Sequence, residues 1–287
     1  MERLIFTTTG CWDTAGGFGC ASLGLAGKCD NSKAMAARWP EDLDGIVLTG
    51  SYKGVLAALS EIDVTANAAI VLFGNAGGEN QFLKEFQKFQ TCPTAGGGAA
   101  IDSVSGRSAL LTGNDEVAIF LITDDRYTYT THVKCIHDTI LDTCSLTLSD
   151  PRTIVKINGV DAAQFLADKK HELGLLPMDF EHLTLSDEMH VNAHLSEDHG
   201  VIKSGRDLKN TMLLRYVEHG KVFDAMREFY DDPNAIVFGC AGLSGLLDRP
   251  LDTDSLGLFL FGEVCTVDGI AEFGNLMLSK LVITKKT

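Results

Sequence analysis

Basic residues are scarce in this chain. Its 24 Lys and Arg stand against 39 Asp and Glu, a formal net charge of −15. Nucleic acid and anionic membranes are bound through a basic face, so neither is expected as a partner. Long apolar runs are also missing. No stretch reaches the roughly 18 residues of a membrane-spanning helix. The opening MERLIFTTT has neither a basic flank nor a long apolar core, so no signal peptide is expected and a cytoplasmic protein is. The eight cysteines, Cys11, Cys20, Cys29, Cys92, Cys135, Cys144, Cys240 and Cys265, include no C-x-x-C pair. They are expected as free, buried thiols. The even steps from Cys11 to Cys20 to Cys29 match no zinc spacing, so no metal is expected. The glycine runs lack the lysine and threonine of a phosphate-binding loop, so no nucleotide cofactor is expected either.

What remains is an ordinary globular composition, 45% hydrophobic and 22% charged over 287 residues. That length suits one large or two small domains. Arg3–Thr9 reads as a strand, followed by a region dense in small residues from Gly10 to Gly27 and a short helix over Ser32–Arg38. Gly45–Thr49, Ala68–Phe73 and Glu116–Thr123 read as strands, with helices over Val55–Ile62 and Asn80–Phe89. Phe82, Phe86 and Phe89 would form one packed stripe. Asp124, Asp125 and Arg126 read as a solvated turn.

After Tyr127, Val133–Thr147 looks extended and Thr153–Ile157 reads as a strand. Asn158–Gly159 is a hairpin turn, and Asp161–Leu173 a helix opened by an acidic residue. Thr184–Leu195 and Leu213–Val217 read as strands, Val222–Tyr230 as a helix, and Glu272–Ile283 as one or two closing strands. His182, His190, His194 and His199 are expected to be solvated or structural, although His190 and His194 would share a strand face.

The stretch Ala235–Cys265 reads as a buried strand, a glycine-rich turn over Gly239–Gly245 carrying Cys240, and a second apolar segment that breaks at Gly262 before Glu263 and Cys265. It has an echo. NAAIVLFG at Asn67–Gly74 resembles NAIVFG at Asn234–Gly239. Gly97 follows Gly74, and Gly262 follows Gly239, by the same interval of 23 residues. Two related halves are expected, with their glycine turns meeting around a ligand.

Three motifs carry a resemblance to a known family: Ile157–Ala163 (INGVDAA), Ile236–Gly242 (IVFGCAG) and Phe259–Glu263 (FLFGE). In order and spacing over about residues 130–283 they resemble the C-terminal domain of the FIST family, named for F-box and intracellular signal transduction. PTAGGGAAID at Pro93–Asp102 is similar to the glycine-rich turn of that family's N-terminal domain, here shortened at its start. Leu243 stands where the family often has an arginine, and Arg249 follows later. The resemblance implies a sensory protein that binds a small, amino-acid-like metabolite and passes the signal to another protein. It implies a FIST N-like half over residues 1–126 and a FIST C-like half over 127–287. The expected fold class is α+β, with largely antiparallel or mixed sheets flanked by helices, and a four-layer αββα arrangement is one form of it.

The expected ligand site comprises Gly96, Gly97, Gly98, Cys240, Gly242, Gly262 and Glu263. Glu263 would meet the ligand's positive group, and amides near Gly97 and Gly242 its negative group. A buried Glu263 would need a partner or a raised pKa. Two alternatives stay open. A small-metabolite hydrolase or lyase would use Cys240 as nucleophile, activated at a helix N-terminus, with Glu263 or Asp102 as acid–base. A protein-interaction module would use the fold as a recognition surface.

Overall fold

The computed structural model describes residues 43–74, 77–98, 115–177, 179–188, 191–244, 246–247, 256–260 and 262–287. The expectations placed on Arg3–Arg38, the first three cysteines, Asp102, His190 and Arg249 lie outside them.

The chain begins with β1 (Gly45–Gly50), α1 (Tyr52–Ser60), β2 (Ala68–Phe73), α2 (Glu79–Phe86), β3 (Thr94–Gly98) and β4 (Val117–Ile122), followed by β5 (Tyr127–Cys135). Then come β6 (Thr139–Asp150), β7 (Thr153–Ile157), β8 (Val160–Asp161), α3 (Ala162–Glu172), β9 (Leu183–Ser186), β10 (Asn192–Ala193), β11 (Leu195–Asp198), β12 (Val201–Ser204) and β13 (Thr211–Tyr216). The last part holds α4 (His219–Tyr230), β14 (Ala235–Cys240), α5 (Ala241–Ser244), β15 (Leu256–Leu260), β16 (Glu263–Val267), β17 (Ile270–Gly274) and β18 (Met277–Lys285). The protein is a sheet-dominated α+β structure.

Local chemistry explains several boundaries. The Ser51 hydroxyl accepts from the Gly54 N–H at 3.1 Å and opens α1. Asp161 caps α3 by accepting from Gln164 N at 3.1 Å. Asn158 and Gly159 both have positive φ, the conformation a tight hairpin turn requires.

One sheet has the order β1-β4-β2-β3-β16-β17 and a second β15-β14-β18-β5. In the first, β2 runs parallel to β3 and antiparallel to β4, which is antiparallel to β1. In the second, β14 runs parallel to β15 and antiparallel to β18, which is antiparallel to β5. The two four-strand patterns match in order and direction. The glycine interval does not follow the pairing. Gly97 lies within β3 opposite Leu72, whereas Gly262 lies beyond the end of β15.

Both β2 and β14 are buried on two faces, which is why each reads as an unbroken apolar run. Ala68, Ile70 and Leu72 join Ile236, Phe238, Leu260, Leu281 and Ile283 in one cluster shared by the two sheets. Ala69, Val71 and Phe73 pack with Val55, Leu59, Phe82, Leu83 and Phe86 of α1 and α2. Val237 packs with Val222 and Met226 of α4. Phe89 leaves the expected aromatic stripe and is 42% exposed, because α2 ends at Phe86.

The segment from β6 to β13 forms a sheet of its own, in the order β10-β9-β13-β6-β7-β12-β11, with β8 paired to β7. His194 alone separates β10 from β11, so the two ends of that order belong to one run of chain and the sheet closes on itself. Leu166 of α3 packs inside with Leu146, Ile154, Leu185 and Leu214.

Two arginines fasten this closed sheet to the first one. Arg206 is buried. Its Nη2 lies 2.9 Å from Glu272 of β17 and 3.5 Å from Asp187. Arg152 pairs with Glu79 at the start of α2, at 3.1 Å, and with Asp207, at 2.7 Å. Residue 126 falls between β4 and β5, which belong to different sheets, while the β16–β17 hairpin returns from the second half to the first sheet. Asp124 is not solvated. It is buried, accepts from Asp44 N, and is paired with Arg126, whose charge and hydrogen bonds hold its carboxyl below the usual range.

Candidate functional site

Gly96, Gly97 and Gly98 form strand β3 rather than a turn. Close backbone approach demands glycine here. A Cβ on Gly96 would lie 2.8 Å from the Val71 carbonyl carbon and collide with its oxygen. A Cβ on Gly97 would lie 2.6 Å from Leu260 Cδ1 and collide with the Gly262 carbonyl oxygen. The Gly98 N–H donates to that same oxygen at 2.9 Å. With β2 on one side and β16 on the other, these glycines are engaged in pairing, so an open nest of amides for an anion is not what they form.

Glu263 opens β16 directly opposite Gly97. It is fully buried. Its Oε2 accepts from the Met277 N–H at 3.3 Å, and the Cys240 thiol sits against the same carboxyl. Oε1 has no hydrogen-bond partner among the described residues. Burial pushes the Glu263 pKa well above the ordinary carboxylate value, against the opposing pull of the Met277 N–H, the thiol and the Gly262 N–H. The carboxyl is therefore held neutral, so Glu263 cannot meet a ligand's positive group as an anion.

Cys240 ends β14, buried, and the expected glycine turn after it is instead the single helical turn α5. Burial raises the thiol's pKa, an ionised Glu263 would raise it further, and the N–H groups of Leu276 and Gly242 pull it down. Burial wins, so the activation expected from a helix start is absent. The Tyr230 phenol, at the end of α4, is buried within charge range of both groups. Ser279 of β18 donates to the Val264 carbonyl at 2.8 Å and ties the second sheet to β16. Cys240, Gly242, Gly262, Glu263 and the β3 glycines are thus brought to one junction.

Gly242 borders this junction on the side of the closed sheet. A Cβ there would lie 3.8 Å from Cys240 Sγ, 2.9 Å from Leu276 Cδ2 and 3.7 Å from Glu181 Cγ. The Glu181 carbonyl in turn accepts from His137 Nε2 at 2.8 Å. A carbonyl only accepts, so Nε2 carries the proton and Nδ1 is bare. Nδ1 has no partner among the described residues, and burial lowers the His137 pKa to about 4.

Neither Glu181 nor His137 is marked by any motif. Each becomes recognisable only when the closed sheet docks beside α5. His182 is a structural histidine, its Nδ1 bonded to the Val217 carbonyl at 2.9 Å, and His199 is exposed. Leu243 is a core residue packed with Val237 and Leu278. Among the described residues no group of three or more His, Cys, Asp or Glu is placed to hold a metal ion, and no helix is long and apolar enough to cross a membrane. No family model matches this chain, and no curated protein matches it.

Proposed function

We propose that this protein binds a small, amino-acid-like metabolite at the junction of Cys240, Gly242 and Glu263, and that it is a cytoplasmic sensor of the FIST type. One observation carries the binding site: a fully buried carboxyl, Glu263, with Oε1 lacking a partner beside a buried thiol. A buried polar atom without a partner costs about 1–3 kcal/mol. A bound molecule that accepts from the neutral acid recovers that cost. The strongly acidic chain suits a small-molecule ligand and a protein as recipient of the signal, rather than nucleic acid or a membrane.

The FIST assignment rests on the order of the three C-terminal motifs and on PTAGGGAAID. The matching strand patterns β1-β4-β2-β3 and β5-β18-β14-β15 support a duplicated fold. The shared cluster between the sheets, with α1 and α2 outside one and α4 outside the other, supports four αββα layers.

A thermal-shift screen of amino acids and related metabolites on the full chain tests this function. A ligand at 100 times its Kd adds about 2.7 kcal/mol of stability, and E263Q should diminish the response. A screen in which nothing raises the Tm of the wild-type protein overturns it. A hydrolase or lyase using Cys240 is disfavoured by the burial that keeps the thiol protonated.

A further inference from the structure

We propose that the outer edge of β5 is a self-pairing surface, through which two copies of this chain join β5 to β5 antiparallel about a two-fold axis at Thr131. The pairing is independent of the ligand proposed above.

The hydrogen bonds of β18, a central strand, fix which groups of β5 point outward. The Ile283 N–H donates to the Asn234 carbonyl, on the β14 side, and the Lys286 N–H donates to the Arg126 carbonyl, on the β5 side. In antiparallel pairing the backbone groups of successive residues alternate between the two sides. Thr128, Thr130, His132 and Lys134 therefore bond to β18, and Tyr127, Tyr129, Thr131, Val133 and Cys135 direct their N–H and C=O groups away from it. Among the described residues no strand pairs with that outer side, and no hydrogen bond reaches those groups.

The edge lacks the usual guards. β5 is nine residues long, keeps an unbroken register with β18, and contains neither proline nor glycine. Natural edges are commonly short, bulged or interrupted by proline. A guarded edge is present in the same molecule. β17 has five residues, and its Phe273 N–H is taken by the Asn80 side chain at 3.0 Å. The edges β1 and β15 adjoin chain outside the described residues, whereas β5 is described on both flanks.

A second copy fits this edge in symmetry and in charge. The outward residues are symmetric about Thr131, so a two-fold axis there pairs Thr131 with its own copy and Tyr129 with the partner's Val133. The closed sheet approaches the end of β5, where Asn192 Nδ2 lies 3.2 Å from the Cys135 sulfur, so the core of the pairing is Tyr129, Thr131 and Val133. Three residues on each copy, with one N–H and one C=O apiece, close six hydrogen bonds. The chain has 39 acidic residues, yet β5 contains none, so two copies of net charge −15 meet here without opposed carboxylates. Thr130 falls opposite the partner's His132, and Thr128 opposite the partner's Lys134, so like charges are not directly opposed. Lys134 is already paired with Glu228, at 2.7 Å.

The test is sedimentation equilibrium of the full chain over a dilution series. Wild type should approach the dimer mass as concentration rises. T130K/H132K alters two exposed positions and sets lysine opposite lysine, and T130E/H132E sets glutamate opposite glutamate. Each alone should raise the dimer Kd tenfold or more with its circular dichroism unchanged. Mixed, they set lysine opposite glutamate and should form a one-to-one dimer. T131P removes an outward N–H but no hydrogen bond to β18, and should be monomeric.

A wild type that is monomeric at every concentration overturns the proposal and leaves the edge to an extended peptide of another protein. Charge variants that are folded and dimerise within twofold of wild type also overturn it, because the copies then meet elsewhere. If the variants do not fold, hydrogen exchange of wild type decides. Protection of the Tyr129, Thr131 and Val133 amides that is lost on dilution supports the pairing, and a dimer in which they exchange freely overturns it.

Discussion

Glu263 on β16 lies directly opposite Gly97 on β3, although 166 residues separate them in sequence. The approach is close enough that a single methyl group at position 97 would strike the Gly262 carbonyl. G97A is therefore expected to destabilise the fold by at least about 1–3 kcal/mol, the usual range for overpacking. G159A is the control, since a Cβ there meets nothing within 4 Å and only its positive φ is strained. Denaturant unfolding of both variants should show the larger loss for G97A.

Burial raises the Glu263 pKa, so the native protein keeps a proton that the unfolded chain releases near the ordinary value of 4.5. The stability tied to that proton is complete below 4.5 and is lost as pH rises above it. E263Q has no such proton to lose. The stability of wild type relative to E263Q should fall with rising pH, by up to about 1.4 kcal/mol per unit. Unfolding midpoints at several pH values measure it, and parallel curves would contradict a neutral Glu263.

His137 has the opposite slope. Its folded pKa is lowered to about 4 from 6.5, so the unfolded chain takes up a proton first as pH falls. The stability due to neutral His137 is present above 6.5 and is lost as pH drops toward 4. In NMR spectra the His137 ring signals should stay flat from about pH 8 to about pH 5, where an unburied histidine titrates. A midpoint near 6.5 would show that the ring is not sealed as described.

Cys240 is 5% exposed and its thiol is held protonated by burial. Alkylation of the native protein at neutral pH, followed by peptide mass spectrometry, should leave Cys240 unmodified until denaturant is added. Rapid native labelling of Cys240 would revive the nucleophile reading.

Arg206 joins Asp187 of the closed sheet to Glu272 of the first sheet, and all but Glu272 are nearly inaccessible. R206M removes the buried counter-charge of Asp187 and leaves it the exposed Lys209, 3.3 Å away. A loss of about 3–5 kcal/mol is expected in equilibrium unfolding. A loss within 0.5 kcal/mol would mean that the pairing contributes little.

The sequence made the local features legible. The runs at Ala68–Phe73 and Ala235–Cys240 read as strands because both of their faces are apolar and buried. Asn158–Gly159 and Asp161 gave away a turn and a helix start because their chemistry acts within three residues. Features set by distant partners were hidden. Three successive glycines read as a turn by propensity, and only the approach of β2 and β16 makes them a strand. Asp124 looked solvated because its burial depends on Asp44, 80 residues away, as well as on Arg126. Cys240 and Glu263 were singled out and do meet. Their protonation states were not legible, because burial depends on everything packed around them. Glu181 reaches the junction only through the docking of a sheet whose closure no local pattern announces.

The β16–β17 hairpin crosses from the second half of the chain to complete the first sheet. During synthesis β3 therefore leaves the ribosome long before its partner exists. At 5–20 residues per second the wait to residue 263 is on the order of ten to thirty seconds. For that time the growing chain carries an unpaired, glycine-rich edge open to other nascent strands. Chaperone demand should therefore peak while the closed sheet is being made and end when the hairpin emerges.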